Sequence, residues 1–350
     1  MTTSPLVHNG TGLGLIGDRE TVREETSALL AADLPELAFD STLPRALVHR
    51  KSVAEVFVTD SREVSPGVFD VAGQLPRGHV MGERRELYDF PLVVEAFRQT
   101  GVVVAHRHYD VPFDQAFIMG RMSVGITDLD ACRIGDLPAR IVMRAQTEAN
   151  TNRRGRLLGY DFASEATLDG VDALRATGAL TFLSQRSYEV LRKRARAELD
   201  VEGAVVPDLT AAAPGAVGRL DPRNVVVTDP VITSERTSRS AVKADFSHPH
   251  LFDHPLDHIP GNLLIEAARQ AAVATVSRLH GVTPASLVPV GVSAEFTGFV
   301  ETDLVCGLEA DAGELKRDAR LGVPVVPVRV EAVQAGVGRS RFDLVVAQWV

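Results

Sequence analysis

The chain contains an internal repeat, and this repeat constrains the fold more than any other feature of the sequence. The stretch HVMGERRELYDFPLVVEAFRQTGVVVA, which begins at His79, aligns without a gap with HLFDHPLDHIPGNLLIEAARQAAVATV, which begins at His250. The offset is 171 residues both between these histidines (250 − 79) and between Glu95 and Glu266 (266 − 95). Because chance rarely supplies the motif EAxRQ twice in register, we predict two copies of one domain.

Each copy is predicted to contain one long helix followed by a run of strands. The second helix is expected from Pro260 to His280, since proline suits the first turn of a helix and Gly281 suits its end. The segments after each helix are rich in Val, Ile and Phe and are separated by turn residues, as antiparallel strands are. A helix followed by strands, without alternation of the two, predicts an α+β fold.

Four segments are predicted along the 350 residues. Residues 1–40 form an N-terminal extension with a short amphipathic helix near residues 21–32, and residues 41–186 form the first domain. Residues 187–222 hold a basic helix and an Ala/Pro/Gly-rich linker, and residues 223–350 form the second domain. The basic helix is interpreted as a solvated linker helix, with a docking surface as the alternative.

A polar stripe crosses each long helix, which is otherwise apolar nearly all round and is therefore predicted to be buried. A buried unpaired carboxylate costs several kcal/mol, so Glu266 must be paired, be protonated or face a wet cavity. An ion pair with Arg269 inside the core is the structural alternative to a catalytic role. The stripe consists of Asn262, Glu266, Arg269 and Gln270 in the second helix and of Glu95, Arg98 and Gln99 in the first.

Four of the ten histidines crowd into the loop just ahead of the second long helix. Their spacing, with Asp253 and Asp257 nearby, is compatible with a zinc site, but no cysteine joins them and prolines interrupt the loop, so no metal is predicted. We favour a loop that reacts with or contacts substrate, and loop packing is the alternative. The four residues are His248, His250, His254 and His258.

The composition of the chain limits which classes of partner it can bind and indicates its cellular compartment. The net charge of −9 argues against nucleic acid as the main partner, because affinity for phosphate backbones comes from excess Lys and Arg. Cys132 and Cys306 are outside any CxxC motif, which favours a reducing cytoplasm. The sequence shows neither a signal peptide nor a run of about 20 apolar residues, so a cytoplasmic protein without membrane contact is predicted.

The helix motifs resemble those of a known fold and of one family that has it. A His-containing loop, then PG, then LxxEAxxQ on a buried helix resembles the hotdog fold of acyl-thioester dehydratases and thioesterases. Together with VHRKSVAEVFVTD from Val48, the doubled EAxRQ and the DHxPG motif are similar to the A-factor biosynthesis family over most of residues 45–350. The resemblance implies a tandem hotdog, in which an antiparallel sheet wraps each helix and the copies pair within one chain.

The resemblance implies an acyltransferase that makes a precursor of γ-butyrolactone, butenolide or furan signalling molecules. The hydroxyl of dihydroxyacetone phosphate attacks a β-ketoacyl thioester on acyl carrier protein, and an intramolecular condensation with loss of water closes a butenolide ring. No cofactor is implied. A hotdog dehydratase or thioesterase and a non-enzymatic acyl-thioester-binding module stay open as alternatives, because fold does not dictate function. The sequence leaves the oligomeric state open, with a homodimer as one option.

In paired hotdogs the site lies at the junction of the two units, which implies two candidate sites. One combines the loop from His250 to His258 with Glu95, and the other combines His79 with Glu266. A histidine or a carboxylate whose pKa is raised by burial can act as the base. The candidate catalytic residues are Glu266, Glu95, His250, His254, His258 and His79.

Substrate binding requires an oxyanion donor, a cationic patch for phosphate and an apolar slot. The N–H groups around Gly261 and Asn262, at the start of the helix, are expected to polarise the thioester carbonyl. Asp257 is the candidate that orients the histidine loop. The candidates for substrate binding are Arg269, Arg98, Gln270, Gln99, Gly261, Asn262, Asp257 and Lys243, with Arg236 and Arg239 as further phosphate ligands.

Overall fold

A single antiparallel sheet and three α-helices make up the part of the chain that this computed structural model describes, residues 36–83, 86–199 and 207–349. The helix predicted near residues 21–32 lies outside the described residues. The helices are α1 (Phe90–His108), α2 (Gln185–Ala197) and α3 (Gly261–His280). The strands are β1 (Val58–Ser65), β2 (Val68–Leu75), β3 (Gln115–Ile126), β4 (Ala139–Thr151), β5 (Leu157–Leu168), β6 (Val171–Ser184), β7 (Val231–Ile232), β8 (Thr237–Ala241), β9 (Leu287–Phe296), β10 (Cys306–Ala312), β11 (Lys316–Arg317), β12 (Pro324–Gln334) and β13 (Val337–Gln348).

The strand order of the sheet is symmetric about its centre. It runs β1-β2-β4-β5-β6-β3-β9-β13-β12-β10-β8-β7, with β11 paired to β12. The central pair, β3 and β9, joins the copies through antiparallel pairing from Arg121 opposite Glu295 to Gly125 opposite Gly291. The two copies therefore share one continuous sheet, and the structure reproduces the duplication that the repeat predicts.

The two long helices are buried along most of their length, as their apolar sequences predict. In α3 every residue from Leu263 to Val276 is buried. The helix ends at Gly281, whose φ of 68° lies in the left-handed region that glycine adopts without strain. Both the α+β class and the predicted extent of this helix are confirmed.

The basic helix α2 is exposed, as a solvated linker helix is expected to be, and ion pairs also hold it to the second copy. No residue of α2 is buried, but Arg192 donates to Asp257 at 2.9 Å and to Glu301 at 2.7 Å. Its guanidinium also lies 4.5 Å from the ring centroid of Phe299. The exposed basic sequence alone did not reveal these acidic partners, because they lie more than sixty residues away in the chain.

The described helices include none that is long and apolar enough to cross a membrane.

We predict that Gly178→Ala destabilises the first copy by about 1–3 kcal/mol, the usual cost of overpacking. Gly178 lies in β6 opposite Phe162 of β5, and a Cβ atom at this position would overlap the Phe162 ring. Denaturant unfolding measures the change. Gly338→Ala is the matched control, because a Cβ there has nothing within 4 Å. Equal stability of the two variants would contradict this packing.

Candidate active site

A cavity of about 550 Å³ opens at the junction of the two copies, a size typical of small-molecule sites. The first copy supplies residues of α1, β3 and β6, and the second supplies the histidine loop, the start of α3 and the end of β9. The linker helix α2 also contributes to the wall. Apolar lining residues include Val102, Phe117, Met119, Leu180, Leu264 and Phe296; polar ones include His49, Arg98, Arg194, His254, His258 and Arg339.

The pseudo-equivalent position in the other copy is almost closed. A pocket of about 30 Å³ is lined by Gly218 and Arg269, which correspond to His49 and Arg98 of the large cavity. Its remaining lining is mostly apolar and includes Tyr88 and other bulky side chains. Of the two candidate sites that the sequence implies, only the one beside the histidine loop has room for a substrate.

Glu95 is fully buried and is held as an ionised carboxylate. Oε1 accepts hydrogen bonds from Arg50, Arg98 and Gln99, and Oε2 accepts from Arg98 and from Asn262 of the other copy, all at 2.6–2.8 Å. Burial alone would raise its pKa, but Arg50 and Arg98 hold the pKa far below its ordinary value. Glu95 has no free lone pair toward the cavity, so the geometry argues against the predicted role as a base.

Glu266 is bound in the same way. Arg219 donates to it at 2.9 Å and Arg269 at 2.7 Å, and Gln270 donates from one turn along the helix. Burial raises the pKa of Glu266, but the two arginines outweigh burial and lower it to about 2. Arg219 also donates to Asp89 of the first copy at 2.6 Å. The structure thus places Glu266 and Arg269 in an ion-pair cluster of the core, away from the large cavity.

The two predicted glutamines bind backbone and do not line the cavity. Gln99 donates to the carbonyl of Glu55 at 2.7 Å and accepts from the N–H of Phe57 at 2.9 Å. Each glutamine therefore binds the backbone segment that leads into the sheet beside its helix. Its amide group is used in these bonds and is not offered to a substrate. Gln270 makes the matching bonds with Asn224 and Val226.

His250 and His79 both form hydrogen bonds with the carboxylate of Glu55. The sequence analysis did not identify Glu55 as a site residue. His250 Nδ1 lies 2.6 Å from Glu55 Oε2, and His79 Nε2 lies 3.3 Å from Oε1. The backbone N–H of Met81 donates to His79 Nδ1, so the proton of His79 is on Nε2. The predicted pairing of His79 with Glu266 is replaced by this shared contact. Asn224 of the second copy offers an amide at the corresponding point of the fold.

The environment of His250 keeps its imidazole neutral. Its side chain is fully buried, and burial lowers its pKa despite the hydrogen bond to Glu55. Burial raises the pKa of Glu55, but hydrogen bonds from His250 and His79 lower it to about 2. His250 therefore donates its Nδ1–H to Glu55. Its Nε2 is buried and has no hydrogen-bond partner among the described residues, so its lone pair is unused, and the residue lines the cavity.

His254 and His258 also line the cavity, and each has its Nδ1 on a neighbouring aspartate. His254 lies 3.2 Å from Asp253, and His258 lies 2.7 Å from Asp257. Asp257 accepts hydrogen bonds from Tyr188 and Arg192, which both lie in α2. These contacts are compatible with the orienting role predicted for Asp257. Three cavity histidines are thus each oriented by a carboxylate.

His49 is a further cavity residue that the sequence analysis did not identify. It adopts a φ of 54°, which is uncommon for a residue other than glycine; Gly218 has a φ of 70° at the matching place. Its Nε2–H donates to His106 Nε2 at 2.7 Å, because Nδ1 of His106 donates to the carbonyl of Val111. Burial and the charge of Arg98 lower the pKa of His49 to about 3.

The potential metal ligands of the described chain do not gather in the histidine loop. Glu55, His79 and His250 are the group whose donor atoms lie within 4.8 Å of one another. Because Glu55 already accepts an N–H from each imidazole, hydrogen bonds account for this cluster without a cation. Buried Cys132 and Cys306 have pKa values raised to about 12 by burial, so both are thiols.

The predicted phosphate ligands are mostly elsewhere. Lys243 lines a separate surface depression, and Arg236 and Arg239 form exposed ion pairs with acidic residues of β10. Gly261 and Asn262 do line the cavity. A Cβ at Gly261 would lie 3.0 Å from the Phe296 ring, so the absence of a side chain makes room for this ring of the cavity wall.

The sheet and its buried helices define a double hotdog protein, which confirms the predicted fold. A putative oleoyl thioesterase from Lactobacillus plantarum has the same fold, with a TM-score of 0.50 at 10% identity over 81% of this chain and 97% of that chain. The family model of the A-factor biosynthesis hotdog domain matches residues 33–184 and 203–337. The chain belongs to this family.

Curated relatives of the chain carry the name of a synthase. The 2-oxo-3-(phosphooxy)propyl 3-oxoalkanoate synthase of Streptomyces virginiae is 33% identical over 277 residues, which are 77% of this chain and 87% of the relative. The protein of the same name from Streptomyces coelicolor is 30% identical over 274 residues, 77% and 81% of the two chains.

We predict that Glu266→Ala lowers the free energy of unfolding by about 3–5 kcal/mol, because Arg219 and Arg269 are left buried without their counter-charge. Denaturant unfolding measures this change. The matched control is Glu165→Ala, which removes an exposed partner of Arg175 and should change stability by less than about 1 kcal/mol. Wild-type stability combined with lost turnover would instead mark Glu266 as a catalytic residue.

Proposed function

We propose that this protein transfers a β-ketoacyl group from a thioester on acyl carrier protein to the hydroxyl of dihydroxyacetone phosphate. The observation that carries the proposal is the large cavity at the copy junction, whose wall combines apolar side chains with His250, a neutral imidazole that has a free lone pair. The name of the relatives describes the ester expected from this transfer, a 3-oxoalkanoate of 2-oxo-3-(phosphooxy)propanol.

His250 serves as the general base in this proposal. Its Nε2 takes the proton of the triose hydroxyl as the oxygen attacks the thioester carbonyl, and Glu55 stabilises the imidazolium that forms. The tetrahedral intermediate then expels the thiolate, and His250 returns the proton to the sulfur. The C–S bond breaks and a C–O bond forms, so the products are an ester and a free thiol. His79 holds the other oxygen of Glu55 and so positions the pair.

The start of α3 is the proposed oxyanion site. Pro260, Gly261 and Asn262 line the cavity, and no side chain caps this end of the helix. The side chain of Asn262 is used on Glu95, so the backbone N–H groups are the donors available to the carbonyl oxygen. The positive end of the helix dipole favours the charge that develops there.

The apolar wall is the proposed slot for the acyl chain. Phe117 and Met119 of β3 and Leu180 of β6 face the cavity together with Val102 of α1. Burial of each methylene of the chain contributes about 0.8 kcal/mol to binding. Both copies contribute to the cavity within one chain, so the reaction needs no homodimer; we place it in the cytoplasm.

Ring closure follows from the chemistry of the ester. The methylene between its two carbonyl groups is acidic and attacks the ketone of the triose, and loss of water gives a butenolide phosphate. This step needs a base for both protons of the methylene carbon, the first for the attack and the second for the loss of water, and in this proposal the cavity histidines take them.

We expect the purified protein to release thiol from a β-ketoacyl thioester only when dihydroxyacetone phosphate is present. Thiol release is followed with a colorimetric reagent, and the product is identified by mass. Equal release without the triose would support a thioesterase, and conversion of a β-hydroxyacyl thioester to an enoyl thioester would support a dehydratase. Binding of the acyl donor with no turnover under any condition would indicate a binding module.

We expect His250→Asn to lower kcat/KM by roughly 10²–10⁴-fold, the usual contribution of a general base. Because burial lowers the pKa of His250 below 6.5, the acid limb of the wild-type pH profile should lie below pH 6.5 and disappear in the variant. His280→Asn, at the end of α3 outside the cavity, is the control. If His254→Asn or His258→Asn removes the limb and His250→Asn keeps it, the base is misassigned.

A further inference from the structure

Arg339, near the start of β13, is a buried cation whose ion pair is long and whose partner, Glu198, is an exposed residue that also lines the cavity. Only 3% of the residue is exposed, and its Nε and Nη2 have no hydrogen-bond partner in the part of the chain that the structure describes. The nearest acidic group is the exposed Glu198, 3.8 Å from Nη1. Burying an unpaired charge is costly, so a side chain in this state is suited to an anion that arrives from outside the fold.

Arg339 is part of the wall of the large cavity. Arg339 lines the cavity together with Thr297 and Gly298, whose N–H groups donate to its carbonyl oxygen at 3.0 Å and fix its backbone. A Cβ at Gly298 would lie 2.8 Å from Nη1, so this glycine provides the space for the guanidinium. Arg194, in the last turn of α2, also lines the cavity and adds a second positive charge to its wall.

Arg98, another arginine of the cavity, is a weaker candidate for binding the anion. Arg98 donates twice to Glu95 and once to the carbonyl of Val48, so its charge is already neutralised. Arg339 keeps two adjacent N–H donors free, which is the planar pattern that binds two oxygens of one phosphate.

We propose that Arg339 binds the phosphate group of the triose substrate and that the chain therefore selects a phosphorylated acceptor over the free triose. The inference rests on the proposed function and assigns one of its subsites. With the phosphate at Arg339 and the acyl chain against Phe117 and Met119, the reacting hydroxyl lies between these two anchors.

The test compares acceptors with and without the phosphate. KM and kcat are measured for dihydroxyacetone phosphate and for dihydroxyacetone, with a phosphate-free acyl cysteamine thioester as donor. Arg339→Gln should raise the KM for the phosphorylated triose roughly 10- to 100-fold, as expected for the loss of charge-assisted hydrogen bonds. The preference of the variant for the phosphorylated triose, measured as the ratio of kcat/KM for the two acceptors, should fall by a similar factor. Arg329→Gln, at an exposed arginine of β12, is the matched control and should change neither value.

Direct binding separates this inference from the proposed function. Inorganic phosphate should raise the Tm of the wild type and of Arg329→Gln but not that of Arg339→Gln. The unliganded Arg339→Gln protein should be no less stable than the wild type, because a buried charge has been removed. If phosphate binding depends on Arg339 but no donor reacts with the triose, the subsite stands and the proposed function fails.

Three results would overturn the assignment. The first is an unchanged KM for dihydroxyacetone phosphate in Arg339→Gln while the wild type is active. The second is a KM rise seen only for a carrier-bound donor, which would place the phosphodiester of the carrier's prosthetic arm at Arg339. The third is a large loss of stability in Arg339→Gln that Arg339→Lys restores without restoring phosphate binding, which would make the residue structural.

Discussion

Each long helix is anchored by a buried carboxylate that two arginines share, and the pairing of the copies depends on these clusters. Arg50 and Arg219 come from the segments that precede the first strands, so Glu95 and Glu266 fasten those segments to the helices. The clusters also cross the junction, since Asn262 donates to Glu95. The polar residues of the EAxRQ motif therefore hold the scaffold around the cavity.

The cavity histidines show how this rigid frame sets the chemistry. His250 is neutral because it is buried, and it presents a defined tautomer because Glu55 fixes Nδ1. In the proposed reaction, such an imidazole needs no reorganisation before it accepts a proton. His250 and the start of α3 both line the large cavity.

The sequence predicted the scaffold better than the site. The repeat and the apolar helices could be predicted because both depend on patterns among residues that are close together in the sequence. The sequence did not identify Glu55 and Arg339 as site residues, because their contacts are with residues far away in the chain. A charged residue in an apolar helix is compatible both with a reactive group and with an ion pair in the core. The sequence therefore could not decide between these roles for Glu266.

The two halves are joined in one chain and share a continuous sheet across the β3–β9 junction. Their sequences can therefore differ from each other. In an assembly of two identical chains, a substitution that improves one binding site appears at the other as well. Here a carboxylate at Glu55 coexists with an amide at Asn224, and an imidazole at His49 coexists with Gly218. Fusion into one polypeptide has thus allowed the two halves to place different side chains around the large cavity.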